Sequence, residues 1–246
     1  MEYVDLHIHL QDYKEEFATE IIKKAINIGF KKFICVGTSP KDWQAVADYA
    51  KKYPDLVVPA FGLHPWKAGS ASNNWQKELE KYLQAFPKAL IGEIGLDKIK
   101  PDIELQKQYF STQLTVAKEY GRPIVIHAVK ASFYLPDFWN KMPPKFMFHS
   151  FNSSLEQLKE IIKCGGYVSF NQSIEKNRDF EKIVQAVPQE KILLESDGPY
   201  QSLSKTELST SLSIPELTEK IAAIRGDSSE ILCKKIYQNS MEFINV

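Results

Sequence analysis

Histidine is scarce in this chain, with five residues in 246, and cysteine is scarcer, with three. Cys35, Cys164 and Cys233 are odd in number and far apart, and none sits in a spaced metal motif. That argues against a disulfide framework and fits reduced thiols. Charge of one sign is also lacking: 31 Lys and Arg balance 31 Asp and Glu. The surface as a whole therefore offers a polyanion no general attraction, which leaves only a local basic patch open. No apolar stretch approaches the ~18 residues of a bilayer span. The N-terminal residues lack the basic region, apolar run and cleavage site of a signal peptide. A cytoplasmic globular protein without a membrane role is expected, and 43% apolar with 25% charged residues suits one.

What the chain has is a regular alternation. Short β-branched runs occur at Tyr3–His9, Lys32–Val36, Leu56–Gly62, Ala89–Glu93, Pro123–His127, Lys145–His149, Gly166–Phe170 and Ile192–Glu195. Between them lie helical patterns at Glu15–Gly29, Pro40–Tyr53, Asn74–Phe86, Ile103–Tyr120, Leu135–Lys141, Leu155–Cys164 and Lys176–Val187, and Ile214–Arg225 and Ser229–Ile244 follow. Leu105, Phe110, Leu114 and Ala117 recur near helical spacing and predict one core-facing stripe. Gly29, Gly121 and Gly165 each stand just past a helical pattern, where a left-handed cap is needed. Ser202–Ser213 reads as a loop, and no Pro/Gly/Ser-rich linker divides the chain. The expectation is an α/β fold, a single (β/α)8 TIM barrel over residues 1–246. An open doubly wound sheet alternates in the same way, so the polar residues must decide.

In the first strand, period-two alternation predicts Asp5, His7 and His9 on one face and Val4, Leu6 and Ile8 on the other. All five histidines, His7, His9, His64, His127 and His149, stand at or just beyond the C-terminal ends of predicted strands. Glu93 ends the fourth strand, and Glu195 and Asp197 end the eighth. In a barrel those ends converge on one mouth, where the active site lies. Any one of these residues could be a strand cap. So many ionisable groups gathered at one mouth would be costly to bury unpaired, and ligation of a metal removes that penalty. Four histidines, a glutamate and an aspartate exceed one tetrahedral site. Two divalent ions sharing a carboxylate, about 3.5–4 Å apart, fit better. Imidazole with carboxylate suits Zn, Mn, Fe or, less well, Mg.

Six segments then occur in order: Asp5-Leu6-His7-Ile8-His9, Gly62-Leu63-His64-Pro65, Gly92-Glu93-Ile94-Gly95-Leu96-Asp97, Pro123-Ile124-Val125-Ile126-His127, His149-Ser150-Phe151 and Glu195-Ser196-Asp197-Gly198-Pro199-Tyr200. In these, over nearly its whole length, the chain resembles the TatD family of metal-dependent deoxyribonucleases, within the amidohydrolase-like barrels. The resemblance implies a hydrolase cleaving DNA phosphodiesters, working from ends, by a metal-activated water. It implies two divalent ions, Mg, Mn or Zn: His7, His9 and Asp197 would hold one and His127 and His149 the other, with Glu93 bridging. Asp197 would also take a proton from the water, and His64 would contact substrate or steady the turn Gly62–Pro65. Glu195 would support the site from behind the ligands. Asp5 would orient a ligating histidine or satisfy backbone donors.

Three departures from the family pattern bear on the substrate. Valine stands at 129, where the family usually has an arginine, and Lys130 beside it cannot reproduce a bidentate clamp on phosphate. A glycine usual near Phe151 is replaced by Asn152-Ser153-Ser154, and the usual basic run after the eighth strand is reduced to Lys205 within Gly198–Glu207. Two other readings follow: hydrolysis of a small ester, amide, lactone or phosphoester with the same ligands, or a barrel retained as a binding module. The intact ligand set argues against the second. Trp66, Phe61 and Tyr200 near the mouth are candidates to stack a base. Lys23-Lys24 and Lys51-Lys52 read as solvated helix faces, and a monomer is the default assembly.

Overall fold

Eight strands follow one another around a single sheet in the order of the sequence: β1 (Tyr3–Ile8), β2 (Phe30–Val36), β3 (Val57–Phe61), β4 (Leu90–Asp97), β5 (Ile124–Val129), β6 (Phe146–Phe148), β7 (Tyr167–Phe170) and β8 (Ile192–Leu194). They belong to a computed structural model that describes residues 1–245. Every neighbouring pair is parallel. The segment just past β8 closes the ring onto β1. Asp197 donates its N–H to His7 O at 2.9 Å, and His9 donates to Gly198 O at 2.8 Å. This is a TIM barrel, and the doubly wound order is excluded.

Helices wrap the outside as α1 (Glu15–Ile28), α2 (Trp43–Lys52), α3 (Trp75–Ala85), α4 (Ile103–Glu119), α5 (Leu155–Lys163), α6 (Phe180–Ala186), α7 (Ile214–Arg225) and α8 (Ser229–Ile244). Two expected helices differ. Leu135–Lys141 is a 3-10 helix, with Pro136 in its first turn and Pro143-Pro144 just beyond it; proline withholds the N–H that a longer α-helix needs. The expected Lys176–Val187 splits into a 3-10 turn, Gln172–Lys176, and α6. Asn177 separates them by accepting from Asp179 N at 2.9 Å, an Asx turn that competes with the helix. Gly29, Gly121 and Gly165 take positive φ values of 111°, 64° and 88°, as their positions predicted.

Two clusters of buried side chains divide at the sheet. One draws on every strand, with Leu6, Ile34, Ala60, Leu90, Val125, Met147, Tyr167 and Leu193, and is therefore the barrel lining. Phe243 of α8 joins it, edge-on to Tyr167 at 5.6 Å, at the end away from the histidines. The other cluster, with Phe33, Cys35, Phe61, Ile94 and Ile126, packs the outer sheet face against the helices.

The alternation expected for β1 breaks midway. Between Asp5 and Ile8, β1 spends three residues where β2 spends two, from Phe33 to Cys35. Such a bulge reverses the facing of everything beyond it. Val4 and Leu6 therefore line the barrel while Ile8 packs outside, and Asp5 does not share a row with His7 and His9. A second bulge lies in β4: Ile91 to Ile94 spans three residues against two of β5. It lies at Gly92 and Glu93. The strand continues to Asp97, so Glu93 sits in its middle rather than at its end. Gly95, at φ 142°, lets the two chains pass closely here, since a Cβ would lie 2.0 Å from His127 O.

Candidate metal centre

Both bulges lie beside proposed ligands, and each re-aims a side chain. In β4 the bulge turns Glu93 inward, after which Gly95 and Asp97 follow it on the same face. His149 and Glu195 fall one residue past β6 and β8. Their N–H groups still bond the neighbouring strand, His149 to Ile126 O at 3.1 Å and Glu195 to Phe170 O at 3.0 Å. Lys130, Ser150 and Asp197, at or just past strand ends, take positive φ values of 49°, 46° and 51°. That left-handed backbone is uncommon outside glycine and turns the chain sharply at the mouth.

The side chains converge on Glu93. Its Oε1 lies 2.8 Å from His127 Nδ1, 2.8 Å from His149 Nε2 and 3.1 Å from His64 Nε2. Its Oε2 faces the other way, 3.4 Å from His7 Nε2 and 3.7 Å from His9 Nε2. Asp197 Oδ1 lies 3.6 Å from each of those two nitrogens, which are themselves 3.1 Å apart. Three groups of potential ligand atoms result: His7, His9 and Asp197; His7, Glu93 and His149; His64, Glu93 and His127.

Tautomers sort these imidazoles. His9 Nδ1 lies 2.8 Å from Val36 O, an acceptor only, so it carries a hydrogen there, and loss of the second proton from Nε2 turns that lone pair towards His7 and Asp197. His127 meets a carboxylate at each nitrogen, Nε2 at 3.3 Å from Asp97 Oδ2 and Nδ1 at 2.8 Å from Glu93 Oε1, and in its neutral form a hydrogen held on Nε2 by Asp97 turns the Nδ1 lone pair towards Glu93. His64 is the reverse. Its Nδ1 accepts from Trp66 N at 3.1 Å, so the hydrogen is on Nε2 and points at Glu93. His64 is thus presented as a donor, not as a ligand.

Electrostatics follow from burial and mutual pairing. Burial works against a carboxylate at Glu93, but the surrounding His149, His64 and His127 outweigh it and hold it well below the usual range. Burial likewise opposes the charged form of His9, but Asp197 and Glu93 lift it to about 9. His149 is raised well above the ordinary value by Glu93 and Glu195 against the same burial. His64 is pushed down to about 4 by burial. His7, buried beside His149, is lowered.

This donor set fits divalent transition metals. Imidazole lone pairs and carboxylate oxygens meet in a buried cluster, and His7 and His9 bring two nitrogens within 3.1 Å beside two carboxylates. Among the described residues, His7 Nδ1 and Glu195 Oε2 are buried without a hydrogen-bond partner.

The remaining expected residues separate. Glu195 accepts from Ser150 N at 2.6 Å and Asn171 Nδ2 at 3.2 Å, with His149 Nδ1 3.5 Å away. Asp5 accepts from Ser196 N at 2.9 Å, Ser196 Oγ and Ser211 Oγ at 2.6 Å, and His7 N at 3.3 Å. Of its two expected roles it takes the second, tying down the backbone that carries Asp197, because the bulge turns it off the histidine row. Trp66 and Tyr200 are exposed at the mouth, Tyr200 edge-on to His9 at 5.5 Å. Phe61 is fully buried in the outer core and stacks no base. Lys130 is exposed and pairs with no carboxylate among the described residues.

Three polar residues were not anticipated. Asp97 Oδ2 accepts from Trp66 Nε1 at 2.6 Å besides facing His127. Gln106 bonds both backbone groups of Asp97, donating to its O at 3.1 Å and accepting from its N at 2.8 Å. Gln113 does the same for Leu63, beside His64, at 3.1 and 2.7 Å.

A deoxyribonuclease named Tat-D from Schizosaccharomyces pombe is 26% identical over 92% of this chain and 86% of its own. A TatD 3'-5' ssDNA/RNA exonuclease of Erwinia tasmaniensis is 22% identical over 92% and 93%. The crystal structure of YJJV, a TatD homolog from Escherichia coli, shares the fold with a TM-score of 0.92 at 23% identity, covering 99% of this chain and 98% of that one. The family model for TatD-related DNases matches residues 4–245, from β1, which carries His7, to the end of α8, and the chain belongs to that family.

Proposed function

We propose that this protein hydrolyses phosphodiester bonds of DNA from strand ends, using two divalent ions. One observation carries the reading: the two oxygens of Glu93 face two different histidine sets, Oε1 towards His127 and His149, Oε2 towards His7 and His9. His7, His9 and Asp197 would hold one ion, His127 and His149 the other, and Glu93 both. When bound, such ions polarise a phosphoryl oxygen and acidify water.

This chain's own groups supply the rest. Asp197, at the edge of the cluster with a carboxylate held low by His9 and His7 against its burial, accepts the proton of the attacking water. His64, neutral at physiological pH, offers its Nε2–H to a phosphate oxygen. Ser196, Ser211 and Asp5 hold the Asp197 backbone, and Asn171 and Ser150 hold Glu195 behind His149. The nuclease names of the Schizosaccharomyces and Erwinia relatives support DNA as substrate. All six proposed ligands come from one chain, which supports a monomer as the working unit. The three free cysteines support a reducing, cytoplasmic setting. No helix among the described residues is long and apolar enough to cross a membrane.

The test is degradation of end-labelled single-stranded DNA by metal-stripped protein with Mg, Mn or Zn restored separately. Shortening that needs the metal and is abolished by Asp197→Asn is expected. Tight metal binding with no shortening under any ion would contradict the reading.

A further inference from the structure

One strip of the mouth carries cations and aromatic rings that the proposed hydrolysis does not use. Trp66 is 55% exposed, and Lys100 Nζ sits 4.1 Å from the centre of its ring. Two residues earlier, Lys98 Nζ lies 5.7 Å from the ring of Tyr134, which also carries Lys107 of α4 at 4.6 Å. Phe133 stands edge-on to Tyr134 at 5.4 Å and is 86% exposed. Among the described residues Lys98 and Lys100 pair with no carboxylate, while Lys107 pairs with Glu104 at 2.9 Å.

The strip is tied to the metal centre. Trp66 Nε1 donates to the Asp97 oxygen that also faces His127, and Lys98 N donates to Val129 O at 2.9 Å. Exposed rings interleaved with unpaired ammonium groups are an unusual surface for water alone. They match a single nucleic-acid strand, whose bases stack on rings while its phosphates meet the cations. A duplex hides its base faces and would gain nothing from Phe133. Elsewhere at the mouth cations are few, since Val129 and the segment Gly198–Glu207 contribute only Lys205.

We propose that Trp66, Lys98, Lys100, Phe133 and Tyr134 form a track that delivers single-stranded nucleic acid to the metal centre, in place of basic contacts at the end of β5 and after β8. The proposal rests on the reading of the centre as a phosphodiester hydrolase. Bases stack on Trp66 and Phe133, and phosphates meet Lys98 and Lys100.

The test measures holoenzyme kinetics on an end-labelled single strand of about 20 nucleotides, with bis(p-nitrophenyl) phosphate as a diester too small to reach the strip. Lys98→Glu/Lys100→Glu should raise KM for the strand about tenfold, and lower the slope of log KM against log salt by about 1.4, at about 0.7 per phosphate contact. Phe133→Ala should raise KM about fivefold or more for the strand. The ratio of strand to small-diester kcat/KM should fall accordingly, while Lys234→Glu/Lys235→Glu on α8 should keep wild-type values. A wild-type KM and salt slope in Lys98→Glu/Lys100→Glu would overturn the track and leave the nuclease reading standing. An equal fall on strand and small diester would overturn the track as well. Wild-type protein that turns over only the small diester would overturn both.

Discussion

The indole N–H of Trp66 donates to Asp97 Oδ2 at 2.6 Å, and the same oxygen lies 3.3 Å from His127 Nε2. Burial opposes the Asp97 carboxylate, yet His127, Trp66 and the Ile99 N–H hold it down at about 2. It is therefore charged at any working pH and keeps the His127 hydrogen on Nε2. Carboxylates behind ligating histidines typically control metal affinity by about 10–100-fold. Asp97→Ala should raise the metal concentration for half-maximal turnover by that factor, with activity largely recovered at saturating metal. Asp97→Asn keeps an acceptor and should be milder. An unchanged metal requirement in Asp97→Ala would show that Asp97 does not orient His127.

Metal loading should depend on pH with a definite sign. Without metal, His9 titrates near 9 and His149 well above the ordinary imidazole range, so both hold protons at neutral pH. Those protons stabilise the metal-free fold fully below about 6.5, and the contribution of His9 is lost as pH rises through about 9. Ligation needs the neutral forms, so loading releases protons and affinity should rise steadily from pH 6 to 9. Isothermal titration in buffers of different ionisation enthalpy reads the proton release directly. Pairing with no proton release would contradict the ligand assignment of His9 and His149.

Gln113 offers a stability test away from the proposed ligands. It is fully buried on α4 and satisfies both backbone groups of Leu63, the residue before His64. Gln113→Leu leaves a buried N–H and C=O unpaired, which costs about 2–4 kcal/mol. For a chain of this size that is a fall in Tm of roughly 5–15 °C. Calorimetry showing wild-type Tm would mean that the turn carrying His64 is held by other contacts.

Much of the candidate centre was legible in the sequence because its proposed ligands sit near strand ends, and strand ends announce themselves by where apolar runs stop. His127 and His149 each follow an uninterrupted apolar run, and the parallel ladder brings them together. What was not legible came from the two bulges. Ending the fourth strand at Glu93 hid Asp97, although residues four apart on one strand share a face and the Glu93–Asp97 spacing carried that signal. Asp5 was grouped with His7 and His9 by a period that the β1 bulge interrupts, and no local residue marks where a strand will bulge. Gln106 and Gln113 were invisible for another reason. Each looks like an ordinary helix residue until the backbone it must satisfy, from a different part of the chain, is placed against it.

Whether Glu93 joins two ions is read from anomalous diffraction by a crystal of the Mn-loaded protein. Two peaks about 3.5–4 Å apart are predicted, one against His7, His9 and Asp197, the other against His127 and His149, with Glu93 between them. Glu93→Ala should lose occupancy at both. A single peak in the wild type, or full occupancy at either site in Glu93→Ala, would contradict the account.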